Sequence, residues 1–308
     1  MSWDPHALPS GAGRTVVVTG GNAGIGYFTS EQLAGTGARV ILASRSVEKA
    51  QRAMTSIRVR VPGAELEFVR LDLSSLASVA RAGAELATLG PIDVLINNAG
   101  IVNPSARRRT TEDGLELLVG ANALGHFALT AQLWPALAPN GRVVGLGSMA
   151  TRMVRLAGRD DRRDLLSERR YRPFRAYGLS KHAVHGFAFE LDRRIRAAGS
   201  SRLSLLAHPG FSVDGLSERR PGINDLTRSR RLRDGALSFV AQGKSQGAWP
   251  TVRAALDPDA RSGQFFGPIH TLTGSPIVMA PVLSSARPEF GTAFWALAEE
   301  RTGVSFVV

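Results

Sequence analysis

The chain has 308 residues, with 38 lysine and arginine residues against 26 aspartate and glutamate residues, a formal net charge of +12, and no cysteine. The lack of cysteine excludes disulfides, thiolate metal ligands and cysteine nucleophiles. With 44% hydrophobic and 21% charged residues, the composition is that of a globular domain and not of a disordered or fibrous chain.

Residues 1–13 are predicted to form an N-terminal tail ahead of the first strand. They lack the basic and apolar regions of a signal peptide, and nowhere do about 18 apolar residues follow one another. We therefore expect a cytoplasmic protein with no membrane span.

The positive charge is carried almost entirely by arginine, because only Lys49, Lys181 and Lys244 are lysines. The arginines are spread along the chain, a bias typical of a GC-rich genome, so we predict no nucleic-acid partner. Two denser segments, 152–175 and 219–233, either contact an anionic substrate or form solvated faces.

Short aliphatic and β-branched runs alternate with helical patterns through the first two thirds of the chain. Such alternation predicts βαβ units and a parallel sheet. Six predicted strands are apolar on both faces, as strands between two helical layers must be; they span 15–19, 40–43, 66–71, 94–97, 143–146 and 203–207. A helix around 245–256 and a short strand at 264–266 follow. Without repeats or a linker, the chain is predicted to be one domain, 1–308.

A glycine-rich turn, TGGNAGIG, begins at Thr19 directly after the first predicted strand. Glycines let the backbone approach a pyrophosphate closely, and the N–H groups and dipole of the following helix favour that anion. Its spacing, Gly-x3-Gly-x-Gly, differs from the usual G-x-G-x-x-G, but the strand before it and the helix after it indicate a phosphate site. The candidate cofactor residues here are Gly20, Asn22, Gly24, Ile25 and Gly26.

The second predicted strand ends in Ser44 and Arg45, where an NAD site would carry an acidic residue on the ribose 2′-hydroxyl. A guanidinium and a hydroxyl suit the 2′-phosphate of NADP. We therefore predict NADP(H) over NAD(H). The alternative is a solvated arginine at a helix start.

More motifs follow in order: Asp72-Leu73, Asn97-Asn98-Ala99-Gly100, Asn122 in GANALGHF, Ser148 after VVGLG, Tyr177-x-x-x-Lys181 and Pro209-Gly210. Together with the glycine-rich turn, they resemble the short-chain dehydrogenase/reductase family over about residues 15–267. GHFALT, YGLSKHAVHGFAFEL and HPG are most similar to its retinol-dehydrogenase-like branch. The resemblance implies an α/β Rossmann domain, a doubly wound parallel sheet of about seven strands flanked by helices, with the substrate pocket over the carboxyl ends of the strands.

The resemblance also implies a catalytic set. Moving a hydride to or from a carbonyl carbon requires an acid/base, and Tyr177 is the candidate. Lys181, one helical turn away, is expected to favour the phenolate and to hold the nicotinamide ribose. Ser148 would donate a hydrogen bond to the carbonyl oxygen, and Asn122 would anchor a water that relays protons.

The remaining implied cofactor contacts lie after later strands. Asp72 and Leu73 would border the adenine; Asn98, Ala99, Gly100, Pro209 and Gly210 complete the predicted cofactor site. The family usually has a threonine after Pro-Gly, at the place of Asp214 in this chain, so either Asp214 or Ser212 is expected to contact the nicotinamide carboxamide. Residue Gly147 also departs from the family, where a second serine is frequent.

Other polar residues are predicted to be structural. No carboxylate spacing supports a metal site or a catalytic triad at His126, His182, His185 or His208, so we predict no metal. Three aspartates lie among arginines, and we expect a solvated, salt-bridged face there; they are Asp160, Asp161 and Asp164.

The sequence therefore predicts an NADP(H)-dependent oxidoreductase that transfers a hydride between nicotinamide and a small to medium apolar aldehyde, ketone or alcohol. The alternative is a catalytically silent NADP-binding sensor, against which the intact Ser148, Tyr177 and Lys181 argue. The oligomeric state stays open; the resemblance implies a homodimer or homotetramer, since family members often pair through the helices around Asn122 and Tyr177.

Two segments are predicted to shape the substrate pocket. The insertion 149–176 leaves the sheet at one catalytic residue and returns at another, so we expect it beside the pocket mouth. The substrate-side segment 211–245 supplies an expected apolar wall, composed of Phe211, Leu216, Leu226, Leu232, Leu237 and Phe239.

Overall fold

The computed structural model describes residues 3–156, 165–168 and 170–308. Its strands are β1 Thr15–Thr19, β2 Arg39–Ser44, β3 Leu66–Arg70, β4 Ile92–Asn97, β5 Leu137–Leu146, β6 Leu203–Ala207, β7 Ser212–Val213, β8 Gln242–Gly243, β9 Phe265–Pro268 and β10 Pro276–Met279. Eight of them form one sheet in the order β10-β9-β6-β5-β4-β1-β2-β3, and β7 pairs with β8.

The helices lie between these strands. They are α1 Gly24–Gly35, α2 Val47–Arg60, α3 Leu76–Ala87, α4 Leu117–Val119, α5 Gly125–Leu133, α6 Ala150–Met153, α7 Pro173–Ala197, α8 Arg228–Gly235, α9 Lys244–Gly247, α10 Trp249–Leu256, α11 Leu283–Ala286 and α12 Pro288–Thr302. A π-helical turn, Gly120–Leu124, joins α4 to α5.

Seven strands of the sheet are parallel, and only the edge strand β10 runs antiparallel to its neighbour β9. This confirms the predicted α/β class with about seven parallel strands. All six strands predicted before residue 210 are present, and β9 corresponds to the seventh, shorter prediction. The strands β7, β8 and β10 were not predicted.

Side chains alternate across the central strand and define two cores. Val17 is buried in the core beneath α3, α5, α7 and α12, together with Phe127. Val16 and Val18 point to the opposite face, where α1, α2 and α10 cover them together with Phe28. Strands buried on both faces explain why the sequence shows continuous apolar runs in place of alternation.

The connections reverse direction at β1, which pairs with β2 on one side and β4 on the other. After β3 the chain therefore crosses to β4 and continues outward through β5 and β6. Such a switch point opens a crevice at the carboxyl ends of the strands, and ligands of open α/β sheets bind there. In the part of the chain described, no helix is both long and apolar enough to traverse a bilayer.

Candidate active site

An open groove of about 1490 Å³ runs along the carboxyl edge of the sheet. It contains every predicted cofactor and catalytic residue except Asn122. The residues in question are Gly20, Asn22, Gly24, Ile25, Gly26, Ser44, Arg45, Asp72, Leu73, Asn98, Ala99, Gly100, Ser148, Tyr177, Lys181, Pro209 and Gly210. Motifs spread over 190 positions of sequence thus meet in one place because most of them follow the end of a parallel strand, while Tyr177 and Lys181 come from helix α7.

The glycine-rich turn has a backbone that larger residues would not permit. Gly20 has a φ of 67°, and a β carbon on Gly26 would lie 2.3 Å from the carbonyl oxygen of Gly20. The residue before α1, Ala23, offers no side-chain cap, so the first N–H groups of the helix have no side chain to bond. A close turn with free N–H groups at a helix N-terminus fits a pyrophosphate.

One hydroxyl group and two cationic side chains lie near the end of β2. Ser44 is buried, and within the described residues its Oγ has no hydrogen-bond partner. Arg45 is exposed at the groove edge, and Lys49, in the first turn of α2, also lines the groove. The nearby Asp72 accepts hydrogen bonds from the backbone and hydroxyl of Ser74 at 2.9 and 2.6 Å. This end of the groove therefore offers donors to an anionic ribose phosphate.

The catalytic candidates come from the end of β5 and the start of α7. Tyr177 Oη donates a hydrogen bond to Ser148 Oγ at 3.3 Å. One helical turn on, Lys181 is only 3% exposed and its Nζ donates to the carbonyl oxygen of Leu146 at 2.7 Å. Two hydroxyls and an ammonium therefore converge on one wall of the groove.

Burial controls the protonation of this pair. It raises the pKa of Tyr177, and the hydrogen bond with Ser148 lowers that pKa by less. Burial also lowers the pKa of Lys181 to about 8. In the protein alone the Lys181 ammonium is directed at a backbone carbonyl, and desolvation disfavours both charges. Tyr177 is thus a protonated phenol at neutral pH. The expected stabilisation of the Tyr177 phenolate by Lys181 stays a prediction.

Asn122 lies behind the groove and not on its surface, in the π-helical turn and 1% exposed. Its Oδ1 accepts from the backbone N–H of Ile101 at 2.7 Å, and its Nδ2 donates to Ser180 Oγ at 3.0 Å. Asn122 therefore ties the loop after β4 to helix α7. Its role in a water relay stays a prediction.

A buried network joins the first turn to the loop after β4. His126 Nδ1 donates to the carbonyl oxygen of Asn122 at 2.9 Å, which leaves Nε2 to accept from the Thr19 hydroxyl at 2.9 Å. The same hydroxyl oxygen accepts the backbone N–H groups of Asn98 and Ala99, each at 2.9 Å. Burial lowers the pKa of His126 to about 4, so this histidine is a neutral positioning residue.

His208, another histidine beneath the groove, also supports the backbone. His208 Nδ1 accepts from the N–H of Gly210 at 3.1 Å. A β carbon on Gly147 would lie 2.4 Å from His185 Nε2, which explains why the second serine of the family is replaced by glycine here. Among the residues the structure covers, no group of three or more histidines and carboxylates could hold a metal ion.

Part of the groove lining, here called the mouth, is apolar and exposed, and the exposed polar residues Asn103, Arg109, Thr110 and Glu112 also line the groove. The exposed side chains Val102, Met153 and Phe174, at 61%, 71% and 52% exposure, line it together with Phe211. Met153 and Phe174 belong to the predicted insertion 149–176. Its aspartates Asp160, Asp161 and Asp164 lie outside the described residues.

The apolar wall predicted for segment 211–245 is wrong apart from Phe211. The side chains of Leu232 and Phe239 are 77% and 92% exposed and, like the other three leucines predicted, do not line the groove. Leu232 lies on α8, where Asp234 turns inward to accept from the N–H of Gly215 at 2.9 Å. The polar face of this helix packs inward and leaves Leu232 in solvent, and Phe239 lies beyond the end of the helix.

Sequence reasoning missed three cations of the groove, Lys49, Arg109 and Lys244. The contacts of Lys244 are the most informative. Its Nζ donates to Asp214 Oδ2 at 2.6 Å. Ser212 lines the groove, and its Oγ donates to the carbonyl oxygen of Pro209 at 2.8 Å. Asp214 is therefore engaged by Lys244 in the protein alone, and the contact of Ser212 or Asp214 with the nicotinamide carboxamide stays a prediction. The rarity of lysine was the signal that could have identified Lys244.

Comparisons with known proteins agree with this geometry. Residues 14–158 match the family model described as short chain dehydrogenase. The chain is 40% identical to polyprenol dehydrogenase of Mus musculus, over 83% of this chain and 75% of the relative. It is 36% identical to retinol dehydrogenase 13 of Homo sapiens, over 84% and 78%. A crystal structure of an uncharacterized protein from Mycobacterium paratuberculosis aligns over 100% of both chains, with a TM-score of 0.80 at 35% identity.

Proposed function

Because this chain belongs to the short-chain dehydrogenase/reductase family, we propose that it is an NADP(H)-dependent enzyme that interconverts an apolar aldehyde or ketone with its alcohol. Family membership makes it a nicotinamide-dependent oxidoreductase acting on CH–OH or C=O groups. The observation that carries the proposal is the protonated Tyr177 phenol, 3.3 Å from Ser148 in the cofactor groove.

Each catalytic residue of the groove has a separate role in transferring the proton. When bound, the nicotinamide supplies or accepts the hydride. In the reducing direction Tyr177 donates its proton to the substrate oxygen, while the Ser148 hydroxyl turns to donate a hydrogen bond to the same oxygen. Lys181, one turn from Tyr177, stabilises the phenolate left behind. In the oxidising direction Tyr177 takes the proton back.

The mouth indicates the substrate class. Val102, Met153, Phe174 and Phe211 present apolar surface beside the two catalytic hydroxyls. Burying such surface against a hydrocarbon substituent is favourable by about 25 cal/mol per Å². The two relatives reported above are named for polyprenol and retinol, which are both apolar alcohols. We therefore place the substrate among apolar carbonyl compounds and alcohols.

The proposed NADP(H) preference is supported at the end of β2. Ser44 presents a buried hydroxyl there, and Arg45 and Lys49 present two cations. The 2′-phosphate adds close to two negative charges, which those groups can neutralise. The described residues include no carboxylate at the end of this strand that would bind the 2′-hydroxyl of NAD.

The test is Tyr177→Phe, assayed with a panel of apolar aldehydes, ketones and alcohols and with both nicotinamide cofactors. The variant keeps the ring but loses the transferable proton, so kcat should fall by at least ~10²-fold while the cofactor Kd stays unchanged. Tyr27→Phe removes a hydroxyl outside the groove, and this control should retain kcat.

Retention of most of the activity by Tyr177→Phe would refute the assignment. A wild-type protein that binds NADPH but turns over no member of the panel would instead favour the silent sensor.

A further inference from the structure

Lysine is rare in this chain, and all three lysine residues line the groove. Only three of the 38 cationic residues are lysines, and Lys49, Lys181 and Lys244 all line the groove. Lys181 stands beside the catalytic tyrosine and Lys49 beside the end of β2. Lys244 comes from the start of α9, and no role proposed so far accounts for it.

The Lys244 ammonium stands over the glycine-rich turn. A β carbon built on Gly24, the first residue of α1, would lie 3.5 Å from Lys244 Nζ. The Lys244 side chain is 25% exposed, so Nζ is accessible from the groove. Its partner in the protein alone is Asp214, at 2.6 Å.

The backbone around Lys244 is fixed to this position. The pairing of β7 with β8 makes Asp214 and Lys244 leave the two strands side by side. The N–H of Lys244 donates to Ser217 Oγ at 2.6 Å. The next carbonyl, of Ser245, accepts from Gln32 Nε2 at 2.8 Å, and Gln32 lies on α1. The same helix that forms the phosphate turn therefore also holds the segment that carries Lys244.

The local electrostatics favour an anion between these groups. The first turn of α1 has no acidic residue and no side-chain cap, so its positive dipole end is uncompensated. An ammonium beside that end is repelled, and Asp214 offsets the repulsion. A diphosphate at the turn would accept from the helix N–H groups and pair with the Lys244 ammonium at once.

We propose that Lys244 is a diphosphate-binding residue of the cofactor site, held in place by Asp214 until the dinucleotide binds. This inference rests on the proposed use of a nicotinamide dinucleotide. It is independent of the NADP(H) preference, because NADH and NADPH share the diphosphate.

The experiment measures the Kd of four nucleotides for wild type and Lys244→Met by isothermal titration calorimetry. ADP, NADH and NADPH carry a diphosphate, whereas adenosine 2′-monophosphate does not. Loss of a charge-assisted contact in Lys244→Met should raise the Kd of ADP, NADH and NADPH by about 10- to 30-fold. The Kd of adenosine 2′-monophosphate should rise by less than about twofold. Lys244→Arg keeps the charge and should lose less than about threefold.

Two further variants distinguish a role of Lys244 in binding the diphosphate from a role in supporting the local structure. Arg228→Met removes one positive charge from exposed α8 and should leave the ADP Kd unchanged. Asp214→Asn breaks the same ion pair but keeps the ammonium, so ADP should bind as tightly as to wild type or more tightly. Equal losses in Lys244→Met and Asp214→Asn, an unchanged ADP Kd in Lys244→Met, or an equal loss for adenosine 2′-monophosphate would each overturn the inference. A wild type that binds none of the four nucleotides would overturn the proposed function as well.

Discussion

Replacement of Arg45 by alanine should remove most of the preference of the protein for NADPH over NADH. Arg45 is exposed at the edge of the groove, one residue beyond β2. The guanidinium is therefore available to the 2′-phosphate of NADPH. NADH has a hydroxyl at the same position, so Arg45→Ala should weaken NADPH binding and barely change NADH binding.

The structure sets the size of this effect. A charge-assisted hydrogen bond contributes about 1.5–3 kcal/mol, but exposure screens Arg45 and places it near the low end of that range. Lys49 also lines this part of the groove and retains a share of the attraction in the variant. We therefore expect NADPH to bind about 10- to 30-fold more weakly to Arg45→Ala.

The assay is titration of nicotinamide fluorescence with NADPH and NADH at fixed ionic strength, because phosphate contacts depend on salt. Arg60→Ala, at the far end of α2, is the matched control and should change neither Kd. Equal losses for both cofactors, or a wild type that prefers NADH, would refute the reasoning.

Two other predictions concern the mouth and the buried histidine. Phe174→Ala removes apolar surface from the mouth and should raise KM for long apolar substrates several-fold while kcat for a small aldehyde stays constant; a uniform change across the substrate panel would contradict this. Burial lowers the pKa of His126 to about 4, below the 6.5 of an unperturbed histidine, so the unfolded chain binds the extra proton first. Stability should therefore decline as pH falls from about 6.5 to 4, with about 3 kcal/mol due to His126. His126→Gln should flatten that decline in urea denaturation, and an unchanged slope would show that His126 does not titrate as argued.

Central strands could be predicted closely because burial on both faces leaves a continuous apolar run in the sequence. The prediction 203–207 coincides with β6, Leu203–Ala207. The edge strand β10 also has an apolar sequence, Pro-Ile-Val-Met, but it is short, begins with a proline and is only partly buried, and it was not predicted. The same burial argument failed for Leu232, because apolar character does not tell which face of an arginine-rich helix packs inward, and for Phe239, which lies exposed beyond the end of that helix.

The candidate site could be located from sequence because most of its motifs directly follow strands. Asn122, Tyr177 and Lys181 lie on helical segments and were assigned from the family resemblance. Properties that depend on packing could not be predicted. The raised pKa of Tyr177 comes from burial, which the spacing to Lys181 does not reveal. The contact between Lys244 and Asp214 requires the pairing of two short strands 30 residues apart. The withdrawal of Asn122 behind the groove follows from its position in the π-helical turn.

The concentration of lysine at the groove has a chemical consequence. Amines are the usual targets of acylating labels, and apart from the terminal amine this chain carries three, all in one place. Lys181 is only 3% exposed, so Lys49 and Lys244 are the two side-chain amines open to a label. Arginine, which supplies the rest of the positive charge, stays protonated and unreactive. Mass spectrometry of acylated protein would therefore report occupancy of the groove with almost no background from the rest of the surface.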